Sequence, residues 1–210
     1  MASDPKCKLC RRAGERLFLK GERCYSPKCA MVKNPTPPGQ HGTRKKGRRN
    51  ASAFGAELRE KQKIRLLYGL SETQLGNYAS AAKKRKTGVM ADNLVESLEQ
   101  RLDNAVFRAG FGISRSISHN LVTYGHMTLN GKPVSMPSLR IKKGDVIGIR
   151  VQSAPLGLFK DVDERFKKYV PPKWIEVDKT AKTATVIGVP TREDSQINQD
   201  LKLVVQYYSR

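Results

Sequence analysis

Four cysteines near the N-terminus have the spacing of a metal site: Cys7-x2-Cys10, then thirteen residues, then Cys24-x4-Cys29. Two short-range pairs can fold back to present four thiolates in a tetrahedron. Zn–S bonding then replaces the apolar core that so short a segment lacks. One structural zinc ion is the expected cofactor. An iron–sulfur cluster, which also uses four thiolates, is the alternative. Lys6, Lys8, Arg11 and Arg12 flank the first pair and are expected to lower the thiol pKa values. His41 is the nearest further donor in sequence, but it lies in a Pro/Gly loop, so no open catalytic position is expected at the metal.

A second group of residues suits phosphate. Ser114-Arg115 stands at the start of a short helical pattern, followed by Gly125-His126 and Asn130-Gly131-Lys132. A helix N-terminus supplies backbone N–H groups and the positive end of a dipole. Arg115 adds a planar fork, and His126, Asn130 and Lys132 could line the same side from a hairpin. Read locally, the same residues also describe a capped surface helix and an ordinary turn. Neither His119 nor His126 has a nucleophile or carboxylate partner in its own motif, so neither reads as a general base.

These groups sit in a polycation. The 210 residues carry 40 basic and 19 acidic side chains, a formal net charge of +21. Residues 1–90 hold 22 of the basic and 6 of the acidic groups, so the first part is the electrostatic arm. Such a field favours polyanionic partners. No run of roughly eighteen apolar residues could span a bilayer, so no membrane partner is expected. Residues 1–14 lack the apolar stretch of a secretory signal, so a cytoplasmic location is expected. A reducing cytosol favours metal ligation over disulfides.

The elements that must position these residues follow from pattern. Asn34–Gly42, with three prolines and two glycines, is an extended loop, and Thr43–Arg49 is a basic run without apolar residues. Residues 51–68 read as a helix stopped by Gly69, with Leu58, Ile64, Leu67 and Tyr68 on its apolar face. Ser71-x-x-Gln74 reads as a capping box opening a second helix to about Arg85. Asn93-x-x-Glu96 reads as the cap of one long helix carrying Leu94, Leu98, Leu102, Ala105, Val106 and Ala109 and ended by Gly110. Ser114 caps a shorter helix. Asn130-Gly131 sets a tight hairpin, and residues 146–151 form a strand. Beyond Pro155, residues 161–169 read as a helix and 174–177, 183–189 and 201–208 as strands.

The fold class is therefore α+β: a zinc-knotted basic extension, a helical domain, and a small two-helix plus antiparallel-sheet module. The expected domains are 1–50, 51–93 (completed by 190–210), and 94–189 with its core at 94–152.

Leu98 to Asp145 resembles the S-four type of RNA-binding module. The matching stretches are Leu98 to Asn104, Gly110-Phe111, Ser114-Arg115, Gly125-His126, Asn130-Gly131, Pro137-Ser138 and Lys143-Gly144-Asp145. Cys7 to Arg12, Lys20 to Ala30, Pro37 to Gly42, Leu58 to Lys63, Arg192-Glu193-Asp194 and Tyr207 to Arg210 extend the likeness nearly end to end. The whole resembles the bacterial family of the fourth small-subunit ribosomal protein, in its zinc-containing form. One departure stands out. After Ser-Arg the family pattern has an acidic residue, a small one and then Arg, where this chain has Ile117, Ser118 and His119. A phosphate contact there is expected to be weaker or titratable.

The resemblance implies a structural protein that binds the 5′ domain of 16S ribosomal RNA at a helix junction and acts early in assembly. It implies contact with the fifth small-subunit protein, a place beside the third and fifth proteins around the mRNA entry channel, and an influence on decoding accuracy. RNA contacts are expected from Arg11, Arg12, His41, Arg44, Lys45, Lys46, Arg48, Arg49, Arg59, Lys61, Lys63 and Arg65. Lys83, Lys84, Arg85, Arg115, His119, His126, Asn130 and Lys132 complete that set. The alternatives are a free-standing binder of structured RNA and an RNA-modifying enzyme anchored by the same module. Arg101-Leu102-Asp103 echoes the catalytic triplet of pseudouridine synthases, but Leu102 belongs to a helical apolar stripe, and only 58 residues follow residue 152. That is short of a typical domain of about 100–150 residues, so no enzyme is expected.

Overall fold

The computed structural model describes residues 5–39, 42, 52–195 and 197–209. The chain divides into two compact units: residues 1–83 with 198–210, and residues 84–197.

The first unit is helical. It contains α1 (Lys6–Ala13), α2 (Ala30–Lys33), α3 (Ala53–Tyr68), most of α4 (Glu72–Lys84) and, from the C-terminus, α9 (Leu201–Ser209). Ser52 caps α3 by accepting the Gly55 N–H, and Gly69 ends it in the left-handed conformation at φ 66°. The capping box of α4 forms in both directions. The Gln74 N–H donates to Ser71 Oγ at 3.2 Å, and the Ser71 N–H donates to Gln74 Oε1 at 3.0 Å.

Two expectations change in this unit. The inward face of α3 is Glu57, Lys61, Ile64 and Tyr68, whereas Leu58 and Leu67 are only half-buried. Residues 201–208 are helical, not a strand: Leu201 and Val204, one turn apart, are buried, and α9 packs on α3. The β-branched and aromatic content of this segment misleads because tertiary docking overrides a weak propensity.

The second unit holds α5 (Met90–Glu99), α6 (Leu102–Arg108), α7 (Arg115–Thr123), β1 (Met127–Leu129), β2 (Lys132–Val134), β3 (Val146–Ile149), α8 (Val162–Lys168), β4 (Ile175–Asp178) and β5 (Thr183–Val186). The strands form one antiparallel sheet in the order β2-β1-β3-β5-β4. Asn130 and Gly131 turn the β1–β2 hairpin with φ of 51° and 79°. The core gathers Leu102, Val106, Phe111, Met127, Ile147 and Trp174 between helices and sheet.

The long helix expected over 94–109 is two helices. Gln100 and Arg101 interrupt it because their stretch hydrogen-bonds with residues 137–141 instead. The Leu102 N–H donates to the Leu139 carbonyl at 2.8 Å, Asp103 N–H to Pro137 at 3.1 Å, and Ile141 N–H to Gln100 at 2.9 Å. The backbone groups freed by the break are thereby satisfied. Asn93 does not cap: α5 begins at Met90, and Asn93 Nδ2 donates to the Thr87 carbonyl at 2.9 Å. The strands expected at 146–151 and 183–189 are shorter, and residues 151–153 form a 3-10 turn.

Candidate RNA interface

Cys7, Cys10, Cys24 and Cys29 line one cavity, together with Lys20 and Arg23. α1 carries the first pair, and a 3-10 turn over Gly21–Cys24 brings Cys24 into place, where the Lys20 N–H donates to its Sγ at 3.4 Å. Cys29 immediately precedes α2. None of the four forms a disulfide. Donor type, number and common cavity fit a thiolate-bound metal. Among the described residues, however, no three His, Cys, Asp or Glu side chains are drawn into a ligating cluster. The flanking cations do not lower the Cys10 thiol. Burial raises its pKa, a hydrogen bond from the Leu17 backbone opposes this, and the neighbouring cysteines raise it further.

The expected basic contacts divide into occupied and open groups. Arg11 is occupied: its Nε donates to the Thr36 carbonyl at 2.7 Å, tying α1 to the proline-rich loop. Lys61 is buried, pairs with Glu72 at 2.5 Å and lies over the Tyr207 ring at 4.5 Å. Lys63 is held between Glu15 at 2.8 Å and Glu60 at 2.7 Å. Burial would depress its ammonium, but the two carboxylates outweigh this and raise it. Arg65 lies 3.8 Å from Glu72, and Arg85 pairs with Glu96 at 3.1 Å. Arg12, Arg59, Lys83, Lys84 and Lys132 are exposed. His41, Arg44, Lys45, Lys46, Arg48 and Arg49 lie outside the described residues.

The residues at 114–132, expected to meet phosphate, are more internally engaged than their sequence implies. Ser114 caps α7, accepting the Ile117 N–H at 3.4 Å. Arg115 donates to Asn104 Oδ1 at 2.9 Å and stacks over the Phe107 ring at 4.7 Å. Asn130 joins β1 to β3, donating to Asp145 Oδ1 at 2.9 Å and accepting the Val146 N–H at 2.8 Å. His126 sits 3.0 Å from Ser153 Oγ.

Two buried ionic clusters beneath this surface were not foreseen. Glu99, fully buried, accepts Arg108 Nε at 2.9 Å and Nη2 at 3.0 Å, and Asn104 Nδ2 at 2.8 Å. Arg108 also reaches the Ser195 carbonyl. Beside it, Asp103 accepts Arg101 at 3.0 and 2.7 Å, and His119 Nδ1 stands 3.0 Å from its Oδ2. Burial alone would raise the Asp103 pKa, but the bonds to His119 and Arg101 outweigh it and hold the carboxyl below its usual range. The Leu98-to-Asn104 stretch contains the signal: five polar residues inside an otherwise apolar stripe. Its meaning depends on Arg108, His119 and residues 137–141, which only the fold brings near.

A helix-plus-antiparallel-sheet module braced by buried ion pairs, in a chain of net charge +21, defines a protein that binds structured RNA by shape and charge. Comparison narrows the class. Residues 2–99 match the ribosomal protein S4/S9 N-terminal domain, and residues 100–147 match the S4 domain. The chain is 46% identical over 208 residues to the small ribosomal subunit protein uS4 of Ruminiclostridium cellulolyticum, covering 99% of this chain and 98% of that one. It is 45% identical over 206 residues to its counterpart from Caldicellulosiruptor saccharolyticus, covering 98% and 97%. The counterpart from Clostridioides difficile is 46% identical over 204 residues, covering 97% and 96%. The chain belongs to the uS4 family of small ribosomal subunit proteins.

Proposed function

We propose that the chain is an RNA-binding structural constituent of the small ribosomal subunit in the cytoplasm, seated on the 5′ domain of 16S ribosomal RNA at a helix junction. The carrying observation is full-length kinship with uS4 proteins combined with an interior stiffened by Glu99–Arg108 and Arg101–Asp103 pairs. Internal pairing fixes the frame, and exposed cations such as Arg12, Arg59, Lys83, Lys84 and Lys132 reach phosphates. Its early binding would organise the junction for later proteins. The third and fifth small-subunit proteins, the mRNA entry channel and decoding accuracy belong to this reading as its finer consequences. The role is positional rather than catalytic.

The same reading assigns one structural zinc to Cys7, Cys10, Cys24 and Cys29, which would crosslink the N-terminal segment. Elemental analysis of the purified chain should find about one zinc and no iron or labile sulfide. Chelation should loosen the N-terminal segment by proteolysis while the sheet-bearing unit keeps its resistance. Metal-free protein with an unchanged digestion pattern counts against zinc. The function is tested by pull-down from total bacterial RNA at elevated salt, followed by sequencing. Enrichment of the 16S 5′ domain is expected; enrichment of tRNA or large-subunit RNA overturns the assignment.

A further inference from the structure

Beside the cysteines, with Phe18 between the two pairs and Tyr25 directly after Cys24, stands an aromatic pair that no metal or core role explains. The Phe18 and Tyr25 rings stack with centroids 4.8 Å apart and 28° between planes. They are nevertheless exposed: Tyr25 to 76% and Phe18 to 38%, while Leu17, adjacent in the chain, is buried at 1%. Leu17 therefore anchors the segment, and the rings present apolar area to solvent. Phe18 has φ 49°, a left-handed conformation that a bulky residue seldom adopts and that surrounding structure must enforce. Tyr25 closes the Gly21–Cys24 turn, its N–H donating to the Glu22 carbonyl at 3.0 Å, so both rings are fixed by the segment that places Cys24. Arg16, Lys20, Arg23 and Lys28 surround the pair in sequence, all exposed, against Glu22 and the half-buried Glu15, which pairs with Lys63.

We propose that Phe18 and Tyr25 form a stacking platform for an unpaired nucleobase of the bound RNA, with the neighbouring cations holding the flanking phosphates. The platform rests on the RNA-binding reading above and adds a subsite to it. Phosphate contacts alone leave orientation loose, whereas a flat apolar surface within a basic rim accepts a base face without reading its identity. Bases inside a duplex have their faces covered, so the occupant is a bulged or looped-out nucleotide. A protein partner of matching chemistry would need acidic residues around an apolar contact, without any requirement for planarity.

The test uses the full chain and a transcript of the 16S 5′ domain. Tyr25→Ala should weaken binding about tenfold, while Tyr25→Phe keeps wild-type affinity, since the ring rather than the hydroxyl stacks. The salt slope of Tyr25→Ala should match that of wild type, because no phosphate contact is lost. Ultraviolet crosslinking of the unmodified complex should join a nucleotide to Tyr25 or Phe18, a readout independent of any variant's folding. Equal affinities of wild type and Tyr25→Ala, with no crosslink at either ring, overturn the platform but leave RNA binding intact. Failure of the wild-type chain to bind the transcript overturns the RNA reading itself, and the platform with it. Tyr25→Ala that binds RNA normally yet fails to retain a ribosomal protein in reconstituted subunits assigns the rings to protein and overturns the platform.

Discussion

Asp103 shows how one buried side chain can brace the frame of the sheet-bearing unit. It is buried, accepts the Arg101 guanidinium through both oxygens and meets His119 at the surface. Its folded pKa is lowered, so the unfolded chain takes up the proton first as pH falls. The stabilisation is therefore complete above the ordinary carboxylate range and lost as pH falls through the folded value. Unfolding free energy followed by urea titration should decline below about pH 4. Asp103→Asn should be less stable by about 3 kcal/mol at neutral pH, because Arg101 is left buried without its charge partner, and its acid decline should be flatter. An unchanged acid limb in that variant would show that other carboxylates govern it. His119 stands where the family pattern has Arg, and its side chain remains 48% exposed while contacting Asp103. Its contact with Asp103 is a link that a sequence separation of sixteen residues hides.

At the scale of elements, two close approaches decide whether the units hold. A Cβ on Gly112 would lie 2.2 Å from Ser118 Oγ and 3.1 Å from the Ser118 nitrogen, so a side chain there makes the Ser118 hydroxyl turn away and the first turns of α7 give by a few tenths of an ångström. Gly112→Ala should cost about 1–3 kcal/mol in a denaturant melt. RNA affinity should fall with it, since α7 carries Arg115 and His119; full stability would show that α7 slides without penalty. In the other unit, Leu201 is 1% exposed on α9, which packs on α3. Leu201→Ala should cost about 2–5 kcal/mol, seen as a lowered urea midpoint and earlier proteolysis of the helical unit. A surface helix would show neither. These elements were unequally legible. The Ser71–Gln74 box, the Gly69 stop and the Asn130-Gly131 hairpin are local chemistry and stand where the sequence puts them. The break at Gln100 and the helicity of residues 201–209 depend on distant partners, to which local pattern is blind.

For the whole molecule, charge sets how the binding responds to its environment. If about ten phosphates are engaged, log affinity should fall against log salt with a slope of about −7 to −9. Filter binding with the 5′-domain transcript across a salt series measures it, and a slope near zero would place the affinity in apolar contacts instead. The structure withdraws some cations from that count, because Lys61, Lys63 and Arg11 are engaged within the protein. Sequence by itself determined the polycation, the four-thiol spacing, the α+β class and the family likeness. Each is carried by residue identity or by contacts within a few positions of the chain. Only tertiary structure decided which charges face inward. It joined Glu99 to Arg108 and Asp103 to His119, docked α9 on α3, and raised the Phe18–Tyr25 pair into solvent. A charged side chain reads the same in sequence whether it meets a phosphate or a buried carboxylate. The difference lies in desolvation and in partners far along the chain, and these exist only once the chain has folded.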